Sequence, residues 1–197
     1  MTVNSGSPTR PPSSPPPIPL PRHSTPSGDG IGFGVGLVVV DVYLDFQCSA
    51  CKQFELTTLL TLLGLVSEQS ITMLDHPLNL LDWVSGNGYS TRAAAAAAAA
   101  DDYGAYLDYG AALLLNQPEG REGLSDHELV DLGHEVGITD PGFAEAVHHG
   151  RYLPWPPLVT ECAMRRGIAG TPSVLVSGRA VAARPGAIAM AVQAALS

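Results

Sequence analysis

The chain has 197 residues and a formal net charge of −9, from 10 basic residues against 19 acidic ones. This length allows one domain with its own hydrophobic core, and a composition that is 45% hydrophobic and 15% charged is typical of a globular protein. A surface this acidic opposes binding to nucleic-acid phosphates and to anionic membranes, so no nucleic-acid role is expected. The longest apolar runs are shorter than the roughly 18 to 20 residues of a membrane span, so we expect no direct membrane insertion of this chain.

The segment 1–29 differs in composition from the rest of the chain. Nine of the 17 prolines lie between Pro8 and Pro26, and the apolar residues are scattered. Proline fixes its own φ angle and lacks an amide donor, so such a segment cannot build a core. We predict a disordered linker over 1–29 and a folded domain over 30–197. No signal peptide is visible in the chain, and we expect the linker to space the domain from an anchor or export signal further upstream.

The folded part is predicted to begin with a βαβ unit. The glycine-rich stretch 30–36 is typical of either a thin edge strand or a phosphate loop. Leu37–Phe46 has the near-continuous apolar pattern of a strand that is buried on both faces. Apolar residues then recur at helical spacing over 49–67, and Ile71–His76 is a second predicted core strand. The two strands should therefore be parallel and joined by a right-handed crossover.

The middle of the chain is predicted to be helical. A first helical stretch covers Ser90–Asn116 and contains the uninterrupted alanine run Ala93–Ala100. Three further helices are predicted to start near Ser125, Asp140 and Pro154.

The end of the chain returns to strands. Residues 173–177 and 180–183 flank Gly178-Arg179, which is typical of a hairpin turn. Pro185–Leu196 is a predicted amphipathic helix that closes the chain.

The motif that carries chemistry is Cys48-Ser49-Ala50-Cys51, which lies where a strand ends and a helix begins. A thiol at a helix N-terminus faces unpaired backbone N–H groups and the positive end of the helix dipole, and both stabilise a thiolate. We expect Cys48 to be the nucleophile and Cys51, one turn further, to be the buried resolving thiol. The alternatives are a chance pairing of two cysteines, or half of a zinc site.

Two segments resemble the DsbA-like thiol–disulfide oxidoreductases of the thioredoxin superfamily. Residues Val42–Glu55 are similar to the active-site segment of that family, and Gly170–Gly178 is similar to its cis-proline segment. The helical block between them matches the insertion that distinguishes DsbA-like proteins from plain thioredoxin. The resemblance covers roughly residues 35–197.

The resemblance implies an α/β thioredoxin fold, in which a central mixed β-sheet is flanked by helices and a helical subdomain is inserted at about 85–168. It implies catalytic roles for Cys48 and Cys51. It also implies that Pro172 is cis beside the cysteine pair and that Thr171 offers its backbone to a substrate chain. No cofactor and no metal are implied.

The sequence departs from the family pattern in two places. Strongly oxidising members carry Pro-His between the cysteines, whereas Ser49-Ala50 adds no positive charge, so we expect a milder oxidant. The buried acid that the superfamily often has six residues before the first cysteine is replaced by Val42. Asp45 either substitutes for it or is a surface carboxylate at the strand end.

Lys52, the only lysine, either adds a positive field near the cysteines or is a solvated helix residue.

The remaining candidate ligands have no regular metal spacing. Cys162 is expected to be a buried small hydrophobe, and the alternative is a regulatory or metal-binding role. The histidines (His76, His127, His134, His148 and His149) are expected in surface or capping roles.

The sequence thus predicts a thiol–disulfide oxidoreductase that acts on protein cysteines, and it favours an oxidase of exported proteins. The expected partners are cysteine-containing substrate proteins and a redox partner that resets the site. The resemblance implies an extracytoplasmic location, and we expect a monomer. The alternatives are a reductase, a metal-binding module built on the cysteine pair, and a redox-silent partner-binding domain.

Overall fold

The structure, a computed structural model, describes residues 17–118 and 122–197. The strands in these ranges form one mixed sheet with the spatial order β1-β3-β2-β4-β5. They are β1 (Ile31–Phe33), β2 (Val38–Leu44), β3 (Ile71–Pro77), β4 (Ser173–Val176) and β5 (Arg179–Val181). β2 and β3 are parallel, and the other neighbouring pairs are antiparallel.

The helices cover the sheet and form a separate block beside it. They are α1 (Ser49–Ser67), α2 (Tyr89–Asp101), α3 (Tyr106–Leu115), α4 (Asp126–Glu135), α5 (Pro141–His148), α6 (Trp155–Arg165) and α7 (Pro185–Leu196), and a 3-10 turn spans Asp82–Val84. Helix α1 joins β2 to β3, α7 packs on the sheet, and α2 to α6 are inserted between β3 and β4. The predicted thioredoxin fold with a helical insertion is confirmed. No helix in the two described ranges is long and apolar enough to cross a membrane.

Helix α2 is the centre of the insertion, because all of Ala93–Ala100 is buried and the methyl side chains allow α3, α5 and α6 to pack closely around it. The predicted continuous helix over Ser90–Asn116 is wrong, since the chain breaks between α2 and α3. Gly104 adopts a φ of +71° there, and the Ala105 N–H donates to the Ala100 carbonyl at 3.0 Å. This hydrogen bond and the left-handed glycine end a helix in the manner of a Schellman motif.

The glycine-rich stretch forms an edge strand rather than a phosphate loop. β1 pairs antiparallel with β3 at one edge of the sheet, and the chain then turns into β2. A Cβ atom on Gly36 would lie 2.2 Å from the Ile71 amide nitrogen. Only glycine therefore allows the backbone to pass this close to the start of β3.

The segment Pro21–Asp29, here called the N-terminal arm, is packed on the domain. Ser24 forms a bridge with Ile31 of β1, and the Trp155 indole N–H donates to the Gly28 carbonyl at 2.7 Å. The Arg166 guanidinium lies 2.9 Å from the Asp29 carboxylate. The predicted boundary at residue 30 is therefore too late, because these contacts hold part of the predicted linker in place. Residues 1–16 of that linker lie outside the described residues.

His76 is a core residue, contrary to the expected surface or capping role. Its ring stacks on Tyr43 with centroids 4.4 Å apart. Nδ1 donates to the Asp29 carbonyl at 2.6 Å, and Nε2 lies 3.0 Å from an Asp41 carboxylate oxygen. His76 thus joins β3, β2 and the N-terminal arm in one buried polar cluster.

Candidate active site

Cys48 lies at the junction of β2 and α1, where it is the N-cap residue of the helix. Its backbone is extended, with φ −80° and ψ 114°, and its Sγ accepts a hydrogen bond from the Cys51 N–H at 3.3 Å. Both cysteines are free thiols. Cys48 is 8% exposed and Cys51 is 1% exposed. The pair therefore stands at the helix N-terminus with one sulfur nearer the surface than the other.

The environment drives the pKa values of the two thiols apart. The pKa of Cys48 is lowered to about 5 by a hydrogen bond from the Cys51 thiol, against the opposing effect of burial, with further help from Thr171 and the backbone N–H groups of Ala50 and Cys51. The pKa of Cys51 is raised far above its usual range, because its thiol donates to Cys48 and is buried. The arrangement therefore favours a thiolate on Cys48 beside a protonated Cys51.

The Gly170–Ser173 loop lies against the cysteines although it is distant in sequence. The Thr171–Pro172 peptide bond is cis. Cys48 Sγ lies 3.3 Å from the Thr171 carbonyl oxygen, to which it donates only in its protonated form. Ser173, which follows Pro172, pairs with Tyr43 of β2 in the sheet. The pairing of β4 with β2 is thus what brings this loop to Cys48.

Asp45 is completely buried, at 0% exposed, so it is not a surface carboxylate. Its Oδ1 accepts hydrogen bonds from the Gln47 N–H at 2.9 Å and the Ser90 hydroxyl at 2.7 Å. Its Oδ2 accepts from the Leu81 N–H at 3.0 Å. Burial raises the pKa of Asp45 to about 6 although these hydrogen bonds oppose the shift. Asp45 therefore joins the turn before Cys48 to the helical insertion.

Two further side chains hold the active-site turn. The Gln117 amide donates from Nε2 to the carbonyls of Phe46 and Cys48, each at 2.9 Å. The Lys52 ammonium donates to the Leu115 carbonyl at 2.8 Å, so it ties α1 to the end of α3. Sequence reasoning missed Gln117, because a contact between an insertion-loop side chain and backbone carbonyls about 70 residues away has no local pattern.

A second pair of acids consists of Glu55 on α1 and Asp75 on β3. Burial raises the pKa of Glu55 to about 7 and that of Asp75 to about 6. Both line one small cavity, and the Tyr106 hydroxyl donates to Asp75 Oδ2 at 2.8 Å. Asp75 is the register partner of Val42, the position at which the sequence lacks the expected buried acid. A buried carboxyl is thus present on the neighbouring strand.

The third cysteine lies away from this arrangement, on α6. Cys162 is partly exposed rather than buried, and the Arg165 guanidinium donates to its Sγ at 3.0 Å. Within residues 17–118 and 122–197, no group of three or more His, Cys, Asp or Glu side chains is arranged to hold a metal ion.

Comparisons with known proteins agree with this geometry. The model of the thioredoxin family described as "Thioredoxin" matches residues 30–194. Reduced DsbA from Mycobacterium tuberculosis is 25% identical, with a TM-score of 0.74 over 86% of this chain and 93% of that chain. The reduced disulfide bond oxidoreductase DsbG of the same organism is 27% identical, with a TM-score of 0.68 over 78% of this chain and 80% of that chain. The thiol-disulfide oxidoreductase MdbA from Actinomyces oris, at 23% identity and a TM-score of 0.74 over 89% of each chain, shares the fold. No curated protein sequence matches.

The family match and the fold define the class of the protein. The chain belongs to the thioredoxin family. Its helical insertion and its close pair Cys48 and Cys51 make it a DsbA-like thiol–disulfide oxidoreductase.

Proposed function

We propose that this protein oxidises pairs of cysteines in exported proteins through its Cys-Ser-Ala-Cys site. Cys48 is the sulfur that exchanges with the substrate, and Cys51 is the resolving thiol. The observation that carries the proposal is the position of Cys48, which caps α1, has a strongly lowered pKa and lies closer to the surface than Cys51. A thiolate of this kind is both an attacking and a leaving group in disulfide exchange.

The oxidation proceeds in two exchange steps. A substrate thiolate attacks Cys48 Sγ of the oxidised site, the Cys48–Cys51 bond breaks, and Cys51 leaves and takes up a proton. The second substrate thiolate attacks the substrate sulfur of the mixed disulfide and releases Cys48 as a thiolate. The substrate gains one disulfide, and the protein holds two electrons, which a separate redox partner must remove before the next cycle.

The direction of transfer follows from the Cys48 thiolate. An environment that stabilises this thiolate stabilises the reduced protein, because the disulfide form carries no such charge. A stabilised reduced form makes the disulfide a better oxidant. This reasoning favours an oxidase over a reductase.

Thr171 and Pro172 are proposed to bind the substrate chain. Their loop lies against Cys48, where the Thr171 carbonyl is within 3.3 Å of the sulfur. An extended substrate segment beside this loop would present its cysteine to Cys48 and pair its backbone with Thr171. We propose an extracytoplasmic location, because disulfides persist outside the cytoplasm. We further propose that the protein is a monomer, acts without a cofactor and is tethered through its N-terminal segment.

The experiment is a turnover assay with a reduced, unfolded secreted protein as substrate and glutathione disulfide as terminal oxidant. The full chain should accelerate the loss of substrate thiols, and Cys48→Ser should reduce the rate to that of glutathione disulfide alone. Cys162→Ser is the matched control and should keep the full rate, because Cys162 lies outside the site. Turnover that survives Cys48→Ser, or that is lost in Cys162→Ser, would refute the assignment.

A further inference from the structure

We propose that Arg166 is a positioning residue for the substrate-binding segment 167–172, and that the N-terminal arm holds Arg166 in place through Asp29. The arm is then part of the structure that presents Thr171 and Pro172 to a substrate chain, rather than only a spacer. The proposal deepens the proposed function and rests on it, since it concerns the loop that is proposed to bind the substrate.

The first observation is that Arg166 is the C-cap residue of α6, so the segment 167–172 begins directly after it. Gly167 adopts a φ of +81°, which is the left-handed conformation that commonly ends a helix. Further along, Ala169 and Gly170 are exposed, and a Cβ atom on Gly170 would meet no heavy atom within 4 Å apart from its chain neighbours. The position of Thr171 therefore depends on how the two ends of the segment are held.

The second observation is that Arg166 connects both ends of the segment. Its guanidinium nitrogen Nη1 donates to the Tyr43 hydroxyl oxygen at 3.1 Å. Tyr43 is the register partner of Ser173, the first residue of β4. Tyr43 also lies on the strand that leads to Cys48, whose Sγ is 3.3 Å from the Thr171 carbonyl oxygen. The hydrogen bond to Tyr43 thus fixes the start of the segment to the strand position at which the segment ends.

The third observation is that the N-terminal arm fixes the ionic partner of Arg166. Asp29 Oδ2 lies 2.9 Å from Arg166 Nη2, and the Asp29 side chain is only 4% exposed. The Thr25 and Ser27 hydroxyls each donate to Asp29 Oδ1 at 2.7 Å. The Asp29 carbonyl accepts from His76 Nδ1 at 2.6 Å. The carboxylate is therefore preorganised, with one oxygen held by the arm and the other facing the guanidinium.

The fourth observation is that this geometry suits arginine and not lysine. The guanidinium is planar, and its terminal nitrogens donate in different directions, Nη1 toward Tyr43 and Nη2 toward Asp29. Nη1 also lies 3.7 Å from Asp41 Oδ1. A lysine ammonium carries the same charge at a single point on a flexible stem, so we do not expect it to hold Asp29 and Tyr43 in the same arrangement. Charge alone should therefore keep the arm on the domain without fixing the segment 167–172.

A displaced Thr171 should impair only those substrates that have a peptide backbone to pair with it. A small dithiol such as dithiothreitol reaches Cys48 without that pairing, so its exchange rate depends on the cysteine pair alone. The ratio of the two rates separates positioning of the segment from general destabilisation of the protein, because destabilisation lowers Tm without changing this ratio.

The test measures how fast the oxidised full chain is reduced by an unstructured peptide that carries two cysteines and, separately, by dithiothreitol, with acid quenching and thiol trapping well below the unfolding temperature. The variants are Tyr43→Phe, Arg166→Lys and Asp29→Asn, and Arg165→Ala is the matched control. Tyr43→Phe keeps the ring that stacks on His76 and removes only the hydroxyl. In all three variants the rate with the peptide should fall by about 3- to 10-fold, because a charge-assisted hydrogen bond or ion pair that positions the segment is weakened, and the rate with dithiothreitol should stay within about 2-fold of wild type.

Arg165→Ala should keep both rates, because its contacts with Glu161 and Cys162 do not reach the segment. Peptide rates that are unchanged in Tyr43→Phe and Arg166→Lys, or that fall equally with dithiothreitol rates, would overturn the positioning role. A normal peptide rate in Asp29→Asn would overturn the role of the arm.

If Arg166→Lys or Asp29→Asn does not fold, Tyr43→Phe decides, because it removes a single oxygen atom. The proposed function fails in a different way. A wild-type protein that is reduced by neither the peptide nor dithiothreitol would refute the proposed function, whereas a wild-type protein that exchanges with both, and whose variants do the same, would refute only the role of Arg166.

Discussion

At the scale of single residues, the two cysteines differ because their surroundings differ. Cys48 caps a helix and touches the Thr171 carbonyl, whereas Cys51 is enclosed within α1 and donates to Cys48. The sequence predicted this division, since a Cys-x-x-Cys motif at a strand-to-helix junction places only the first sulfur at the helix end. The proposed roles follow from the same difference.

A trapping experiment tests these roles. Cys51→Ser should accumulate a mixed disulfide between Cys48 and a reduced substrate, because no thiol remains to resolve it. Non-reducing electrophoresis with mass spectrometry would identify the linked sulfur. Cys48→Ser should form no such adduct. Adducts formed through Cys51 instead would reverse the two roles.

The Gln117 amide is predicted to stabilise the active-site turn. Gln117→Ala removes the donors to Phe46 and Cys48, so we expect the free energy of unfolding to fall by about 1–2 kcal/mol and the exchange rate to fall several-fold. Denaturant unfolding and the turnover assay measure the two effects. The neighbouring Asn116→Ala is the control, because that side chain only bonds back within its own helix. Equal effects of the two substitutions would argue against a stabilising role of the Gln117 amide at the active-site turn.

Some of these residue contacts could not be predicted from sequence. The motif around Cys48 is local, so spacing and context were sufficient to find it. Gln117 and Ser90 reach the site from the insertion, and their partners are backbone carbonyls or a carboxylate far away in the chain. Asp45 was a candidate from the sequence. Its burial depends on the positions of Ser90 and Leu81 in the fold, and these positions cannot be predicted from the residue pattern of β2.

At the scale of elements, β2, α1 and α7 were predicted nearly to the residue, since each has strong periodicity and clear ends. The break between α2 and α3 was missed because the residues before and after the break both favour helix. The left-handed conformation of Gly104 is what ends α2. The N-terminal arm was missed for a different reason. Proline content indicates an extended chain, but it does not exclude an extended chain that packs on the edge of a sheet.

The arm should depend on the ion pair between Arg166 and Asp29. Burial opposes ionisation of Asp29, but hydrogen bonds from Thr25 and Ser27 and the charge of Arg166 hold its pKa below the usual value. A lowered carboxyl pKa contributes stability above the unfolded-state pKa, and this contribution is lost as the pH falls through the folded-state value. The arm should therefore be most firmly held at neutral pH.

Arg166→Ala is predicted to destabilise the protein by about 1–2 kcal/mol at neutral pH and to expose the arm to proteases, because the Asp29 carboxylate then stays buried without its ion pair. This is less than a fully buried pair would contribute, since the Arg166 side chain is 45% exposed. Limited proteolysis and thermal unfolding measure both effects. Arg165→Ala removes an exposed ion pair with Glu161 and a contact with Cys162 Sγ, neither of which touches the arm, and should have little effect. If the two variants behave alike, the ion pair does not hold the arm.

At the scale of the whole molecule, three acids with raised pKa values lie on or next to the active-site helix. Glu55 and Asp75 line the cavity behind α1, and Asp45 lies at the turn before it. Such groups bind protons more tightly in the folded protein than in the unfolded chain. Their contribution to stability is therefore present at acid pH and declines as the pH rises toward their folded-state values.

Glu55→Gln should reveal this effect. At pH 5 the substitution should change the free energy of unfolding little, whereas at pH 8 it should stabilise the protein by about 1–3 kcal/mol, because the folded-state pKa of about 7 lies well above the unfolded value of 4.5. Chemical denaturation at both pH values in one redox state measures the difference. Glu135→Gln on the exposed face of α4 is the control. An identical pH dependence of stability in wild type and Glu55→Gln would contradict the account.

The order of elements and the two separated motifs were sufficient to predict the fold from sequence, because the cysteine motif and the Thr171-Pro172 loop come together only when β4 pairs with β2. The direction of electron flow could not be predicted in the same way. It depends on the free-energy difference between the thiolate and the disulfide, which is set by contacts of Cys48 with Cys51, Thr171 and the turn.

The reduction potential of the Cys48–Cys51 couple is therefore the measurement that tests the central claim most directly. Equilibration in glutathione buffers followed by thiol trapping gives the value for the full chain. The account predicts a potential of about −120 to −180 mV, which is the range of proteins that donate disulfides. A potential near about −270 mV would instead place the protein with reductants of the thioredoxin type and contradict the proposed oxidase.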